Sequence, residues 1–195
     1  QFDYLRYPTG KISEIAGRQA WTFENRTDAI ARFLAVAAPR VRAAGALVAG
    51  DVFGVTAWPH QKDAGIGQSI EKLAPHLDAL CPMAYPSTYG SGIIDCPDRC
   101  VPAPRHSYEI VYYTVRHALT RAFAVKPGIR VLPWLQAFGD YLFSLPFGRE
   151  EYWQQQRGAS AAGAAGVYFW EPAGVYPDDI FLPPPPPSKL RAMVR

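Results

Sequence analysis

Carboxylates, an arginine and aromatic side chains recur in this chain at one kind of place, just after a short apolar run. "QFDYLRYP" carries Asp3, Tyr4 and Arg6, and "ALVAGDVFG" carries Asp51 and Phe53, with Trp58 a few residues on. "LDALCPMAYP" ends in Met83 and Tyr85, with Ser87 and Tyr89 after it. "IRVLPWLQAFG" contributes Trp134 and Gln136, and "AAGVYFWEP" contributes Tyr168, Trp170 and Glu171. Aromatic faces stack on the apolar side of a ring, and Asp, Gln and Arg bond its hydroxyls. The set therefore suits a neutral, ring-shaped polar ligand such as a sugar.

Each residue also has a structural reading. Asp3 could pair with Arg6, Asp51 could cap the loop after its strand, and Trp134 and Trp170 could be core. Tyr85 before Pro86 could be packing, and His60 is placed for acid or base work but as a lone exposed His reads first as solvated. "GIGQ" (Gly65 to Gln68) is half a glycine-rich phosphate loop, without the third Gly and the Lys that would complete it.

The elements that must position these residues have a rhythm. The near-continuous apolar runs, Ala46 to Gly54, Leu77 to Pro86, Ile129 to Gly139 and Ala164 to Pro172, read as strands buried on both faces, the pattern of a parallel sheet. "QFDYLRYP" reads as a first strand. Between them, Thr27 to Ala44, Ser69 to Pro75, Ser107 to Val125 and Arg149 to Ala162 read as helices, the first containing Pro39, which predicts a kink. Strand and helix in alternation imply right-handed crossovers and ligand binding at the C-terminal ends of the strands.

Composition narrows the partners. A 195-residue chain with 49% apolar and 13% aromatic residues can pack a core. Its 20 basic and 17 acidic residues are scattered, without a basic patch or stripe, which points away from nucleic acid. No apolar stretch reaches the roughly 18–20 residues of a membrane span. Cys81 sits in an apolar strand as a small hydrophobe, whereas Cys96 and Cys100 flank "PDR", where a local disulfide or, less readily, half a metal site could form. A disulfide would indicate an oxidising compartment. The run Pro183–Pro187 reads as an extended polyproline tail, so the expected organisation is one domain over 1–182 and a tail over 183–195.

In their order and spacing, "QFDYLRYP", "GDVFGVTAW", "DAGIGQSIEKLAPHLDALCPMAYPSTYG" and "AAGVYFWEP" resemble a glycoside hydrolase family with QFDYIRFP, D-x-F-G, D-x-G-I-G-Q and P-M-x-Y-P-S-x-Y motifs. The match runs to about Pro172; Glu171 stands where members tend to have Asn. The resemblance implies a (β/α)8 barrel of TIM type, with strands four to eight, a half barrel, in this chain. It maps a nucleophile or electrostatic stabiliser to Asp3 and a general acid/base to Asp51, with Arg6 holding Asp3 ionised. Arg6, Trp58, Tyr85, Tyr89, Trp134, Gln136, Trp170 and Glu171 are the expected substrate-binding residues. Roughly 5 Å between the carboxylates would give retention and roughly 6.5–9.5 Å inversion.

The implied activity is hydrolysis of glycosidic bonds in a polysaccharide, with no cofactor and no metal. The expected location is extracellular or in the cell envelope, with any targeting signal upstream of Gln1, and self-association or pairing with a further half barrel is expected. The rival reading is a carbohydrate-binding or cell-surface interaction protein that keeps the aromatic cleft without the chemistry.

Overall fold

The computed structural model describes residues 1–7, 22–94 and 102–181. The expectations for Cys96, Cys100 and the tail 183–195 lie outside those residues. Five short strands, β1 (Ala49–Phe53), β2 (Ala79–Met83), β3 (Arg130–Val131), β4 (Trp134–Gln136) and β5 (Tyr168–Trp170), form one sheet. Every pairing is parallel, in the order β1-β2-β4-β5 with β3 also on β2. Helices α1 (Phe23–Ala43), α2 (Ile70–Leu73), α3 (Ser107–Val125) and α4 (Arg149–Ala162) fill the connections. Strands in sequence order with helices between them make the arc of a TIM-type (β/α)8 barrel.

The sequence pattern places α3 and α4 where they are found. α1 begins four residues earlier than Thr27 because Thr22 caps it, its hydroxyl accepting from the Asn25 amide at 3.2 Å. The helix runs on through Pro39 to Ala43. The expected fourth strand is two pieces. Pro82 and Pro133 have no N–H, so the β2 ladder breaks between the Leu132 amide on Leu80 (3.0 Å) and the Ala84 amide on Trp134 (2.9 Å).

The expected first strand is a single bridge. Phe2 pairs with Gly50, its amide on the Ala49 carbonyl and its carbonyl on the Asp51 amide, both at 2.9 Å. Tyr4 then takes φ = 55°, a left-handed conformation that turns the chain out of the sheet.

Strand register decides what faces the inside of the arc. Asp51 lies opposite Cys81, Phe53 opposite Met83, Met83 opposite Trp134, Trp134 opposite Tyr168 and Gln136 opposite Trp170. Alternate residues share a face, so this one row carries the chemistry. On the other face Val52, Leu80 and Leu135 are buried with Leu34, Leu73, Val111 and Val115 of the helices. At the N-terminal ends of the strands, Asp78 takes the Val48 amide at 2.8 Å, Arg42 at 2.9 Å and Lys126 at 3.6 Å. These charges pin the base of the arc, at the end remote from the site.

Gly54, directly after β1, is pressed against the Tyr89 hydroxyl and the Met83 carbonyl, leaving no room for a methyl group. Gly54→Ala is expected to cost about 3 kcal/mol in urea unfolding. A variant within about 0.5 kcal/mol of the parent would contradict this packing.

Candidate active site

A cleft of ≈ 240 Å³ opens at the C-terminal ends of the strands, with Asp3, Arg6, Asp51, Tyr85, Trp134 and Trp170 among its walls. Asp51 is its buried carboxylate, 4% exposed. One oxygen, Oδ1, accepts from the Gln1 side-chain amide at 2.6 Å and from the Trp134 indole at 3.1 Å. Burial raises its pKa above the ordinary carboxylate value, and the charge of Asp3 adds to the rise, against those two hydrogen bonds.

Asp3 is the exposed carboxylate, its Oδ1 accepting from the Tyr4 amide at 2.6 Å. The pairing expected with Arg6 is not there: among the described residues no ion pair joins the two. The Arg6 guanidinium instead lies over the rings of Tyr4 (5.2 Å) and Phe53 (5.3 Å) and donates to the Tyr7 carbonyl at 3.4 Å. The left-handed Tyr4 between them is the reason, since it turns the backbone before Arg6.

Tyr85 reaches the same space. Burial first, then the charges of Asp51 and Asp3, push its phenol well above its ordinary value, so it stays an O–H donor. Burial and the nearby Asp51 push the Cys81 thiol up to about 12, which leaves it protonated and inert as a nucleophile. The Trp134 ring packs on Tyr168 at 4.7 Å and meets Trp170 edge-on at 6.1 Å.

Four expected ligand-binding residues are placed away from the walls of this cleft. Trp58 is 8% exposed, donates to the Thr114 hydroxyl at 2.9 Å and packs on Tyr89, Tyr113 and His117, so it belongs to the interface with α3. Tyr89 is fully buried there, bonded to the same hydroxyl at 2.9 Å. Gln136 is also fully buried; its side chain takes the Ser87 amide at 3.0 Å and donates to the Ser87 hydroxyl at 2.8 Å and the Phe138 carbonyl at 3.0 Å. It positions the turns that flank the cleft. Glu171 accepts from the Val175 amide at 3.0 Å and closes the loop after β5.

Gln68 is the wall residue that sequence reasoning missed. Its buried amide accepts from the Phe53 amide at 2.7 Å and donates to the Leu5 carbonyl at 3.1 Å and the Asp51 carbonyl at 3.4 Å. "DAGIGQ" is thus a clamp, not part of a phosphate loop. Asp63 accepts from the Gly67 amide at 2.9 Å, the Gly65 amide at 3.2 Å and the Arg26 guanidinium at 2.9 Å. Burial opposes its charge, but these donors hold its pKa below the ordinary value. Gly67, at φ = 84° and 3.0 Å from the Arg26 carbonyl at its Cβ position, admits no side chain. The signal available in the sequence was an acid four residues before a glycine, followed by an amide.

A family model described as "Putative glycosyl hydrolase domain" matches residues 1–176. The chain belongs to that family. Among solved structures, the PgaB (BpsB) glycoside hydrolase domain from Bordetella bronchiseptica is similar at 19% identity and a TM-score of 0.50. That match covers 81% of this chain and 39% of that one, so the chain spans well under half of its structural relative's length. It is a likeness of fold and agrees with the barrel arc. A search of curated proteins finds no match. Among the described residues, no helix is long and apolar enough to cross a membrane.

Two measurements check this geometry. Gln68→Leu keeps the bulk and leaves three backbone groups unpaired, so it is expected to cost about 2–4 kcal/mol in urea unfolding; near-parent stability would contradict the clamp. For Asp51, a folded pKa above the unfolded value means that ionising it costs stability as pH rises through the folded pKa. Asp51→Asn is therefore expected to raise Tm relative to the parent at pH 7, with the difference vanishing below the unfolded value of 3.8. An equal or lower Tm at pH 7 would contradict the burial argument.

Proposed function

We propose that this domain hydrolyses glycosidic bonds of a polysaccharide, with Asp51 as general acid/base and Asp3 as nucleophile or electrostatic stabiliser. One observation carries the reading: two carboxylates share a cleft in opposite environments, one buried and raised in pKa, the other exposed. Family membership supports the same class of reaction.

With its pKa raised by burial, Asp51 in its protonated form is suited to give its proton to the glycosidic oxygen as the bond to the anomeric carbon breaks and its electron pair passes to that oxygen. Asp3 meets the positive charge that develops on the sugar, or attacks its anomeric carbon. Water completes the exchange, and its proton returns to Asp51. Trp134 and Trp170 offer ring faces, Tyr85 an O–H donor, and Arg6 further donors at the rim. The substrate this implies is a carbohydrate, with binding resting on stacking rather than on ion pairing.

The test is release of reducing ends from a panel of polysaccharides by the parent chain, Asp51→Asn and Asp3→Asn. Each variant is expected to lose about 10²- to 10⁴-fold in kcat, and parental kcat to fall as pH rises through the raised pKa of Asp51. Hydrolysis that survives both substitutions would overturn the assignment. The half-exposed Trp170 favours one rival, a non-catalytic carbohydrate-binding domain. Quenching of Trp fluorescence by oligosaccharide, with no release of reducing ends by the parent, would select it.

A further inference from the structure

The carboxylate cleft does not end at Trp170. A second lobe of ≈ 440 Å³ continues from it, and Phe53, Met83, Tyr85 and Trp170 belong to the walls of both. Its far wall is Phe138 and Tyr141, which stack at 6.1 Å between centroids and 27° between planes, with Tyr85 edge-on to Phe138 at 5.5 Å. The Thr88 side chain stands beside them. None of the described residues lining this lobe is charged. The first lobe, in contrast, holds Asp3, Arg6 and Asp51.

The far wall is held in place before any ligand arrives. Gln136 donates to the Phe138 carbonyl at 3.0 Å, which fixes the start of the loop. Asp140 then accepts from the amides of Leu142, Phe143 and Leu145 at 3.2, 3.3 and 3.0 Å, so the nearby carboxylate is satisfied by its own backbone. Tyr141 remains 67% exposed at the rim. A large exposed aromatic on a fixed loop, left uncovered by the described residues, has its ring available to stack.

We propose that this second lobe is a subsite for an adjoining ring of the same glycan chain, and that this ring is uncharged. The inference rests on the hydrolase reading for the identity of the ligand as a glycan. Continuity with the carboxylate cleft selects the occupant: whatever chain places a bond between Asp3 and Asp51 has its next ring within reach of Phe138 and Tyr141. The lining selects its chemistry. A uronic acid or an ammonium sugar would lose water in this lobe without meeting an opposite charge among its described lining residues, whereas a neutral ring has an apolar face to stack and hydroxyls to leave in solvent. The volume lies within the range of about 300–1,000 Å³ common for ligand clefts.

The test is calorimetric titration of the Asp51→Asn chain, which is not expected to turn over its ligand. The probes are cello-oligosaccharides and chito-oligosaccharides of one to six units, with oligogalacturonides as the charged series. Affinity for at least one neutral series is expected to rise about tenfold or more between a single unit and chains long enough to enter both lobes. Tyr141→Ala, an exposed position whose loss leaves the core intact, is expected to remove most of that gain while leaving single-unit affinity and Tm near the parent. Oligogalacturonides are expected to show no such step. Affinity independent of length, a step untouched by Tyr141→Ala, tighter binding of the charged series, or no binding of any series would each overturn the subsite. Hydrolysis by parent, Asp3→Asn and Asp51→Asn is scored separately. A length step with catalysis indifferent to the carboxylates would sink the hydrolase assignment and keep the subsite, and the reverse result would do the opposite.

Discussion

The geometry of the cleft depends on one buried amide. Gln68 joins the end of β1 to the segment after Phe2 by bonding Phe53, Asp51 and Leu5 through their backbones. Among the described residues, the bridge of Phe2 with Gly50 and the Gln1 side chain on Asp51 also tie that segment to the sheet. Without the amide, the turn at Tyr4 would leave Asp3 and Arg6 on a short free arm. Gln68 is held in turn by its own loop: Gly65 and Gly67 adopt left-handed conformations, Asp63 collects their amides, and the Arg26 guanidinium on α1 neutralises Asp63. The Tyr7 amide on the Ile66 carbonyl at 2.8 Å closes the circuit. A polar network of this kind is favourable only when complete, because each of its buried members would otherwise be left unpaired.

This network also explains why the sheet and the aromatic walls can be built separately. Apolar packing of α1 to α4 on the outer face fixes the strands, and register then aligns Asp51, Phe53, Met83 and Trp134 on the inner one. Hydrogen bonding at the strand ends sets the loops. Gln136 does for the turn at Ser87 and the start of the Phe138 loop what Gln68 does for the N-terminal segment, and Gln155 on α4 holds Gln136 by its backbone, accepting its amide at 2.8 Å and donating to its carbonyl at 3.0 Å. Two buried glutamines, each reaching backbone on more than one element, thus shape opposite sides of one cleft.

How much of this was legible in the sequence follows from the range of the forces involved. Strands and helices were readable because burial on both faces or on one leaves a local periodicity, and the parallel arc followed from their alternation. The meeting of Asp3, Asp51, Tyr85, Trp134 and Trp170 in one cleft was readable because they all sit at C-terminal strand ends. Trp58 and Tyr89 share that address, yet both turn to Thr114, 56 and 25 residues away, and nothing local marks an aromatic that bonds a distant hydroxyl from one that faces solvent. The expected ion pair of Arg6 with Asp3 fails for a local reason. Their spacing suggests an ion pair, but a non-glycine residue with positive φ between them is not something composition announces.

The two carboxylates show why site chemistry is set by surroundings rather than by residue type. Asp51 grows from the middle of a strand whose neighbours fill the space around it, so its charge is costly, and its Oδ1 is committed to Gln1 and Trp134. Asp3 lies just beyond a lone bridge, on backbone already leaving the sheet, so water keeps access to it. Burial makes the charge of Asp51 costly, whereas Asp3 keeps its contact with water. The two environments follow from where each residue sits relative to its strand. Arg6, with no ion pair to Asp3 among the described residues, lies over Tyr4 and Phe53 and stands in the wall of the same cleft.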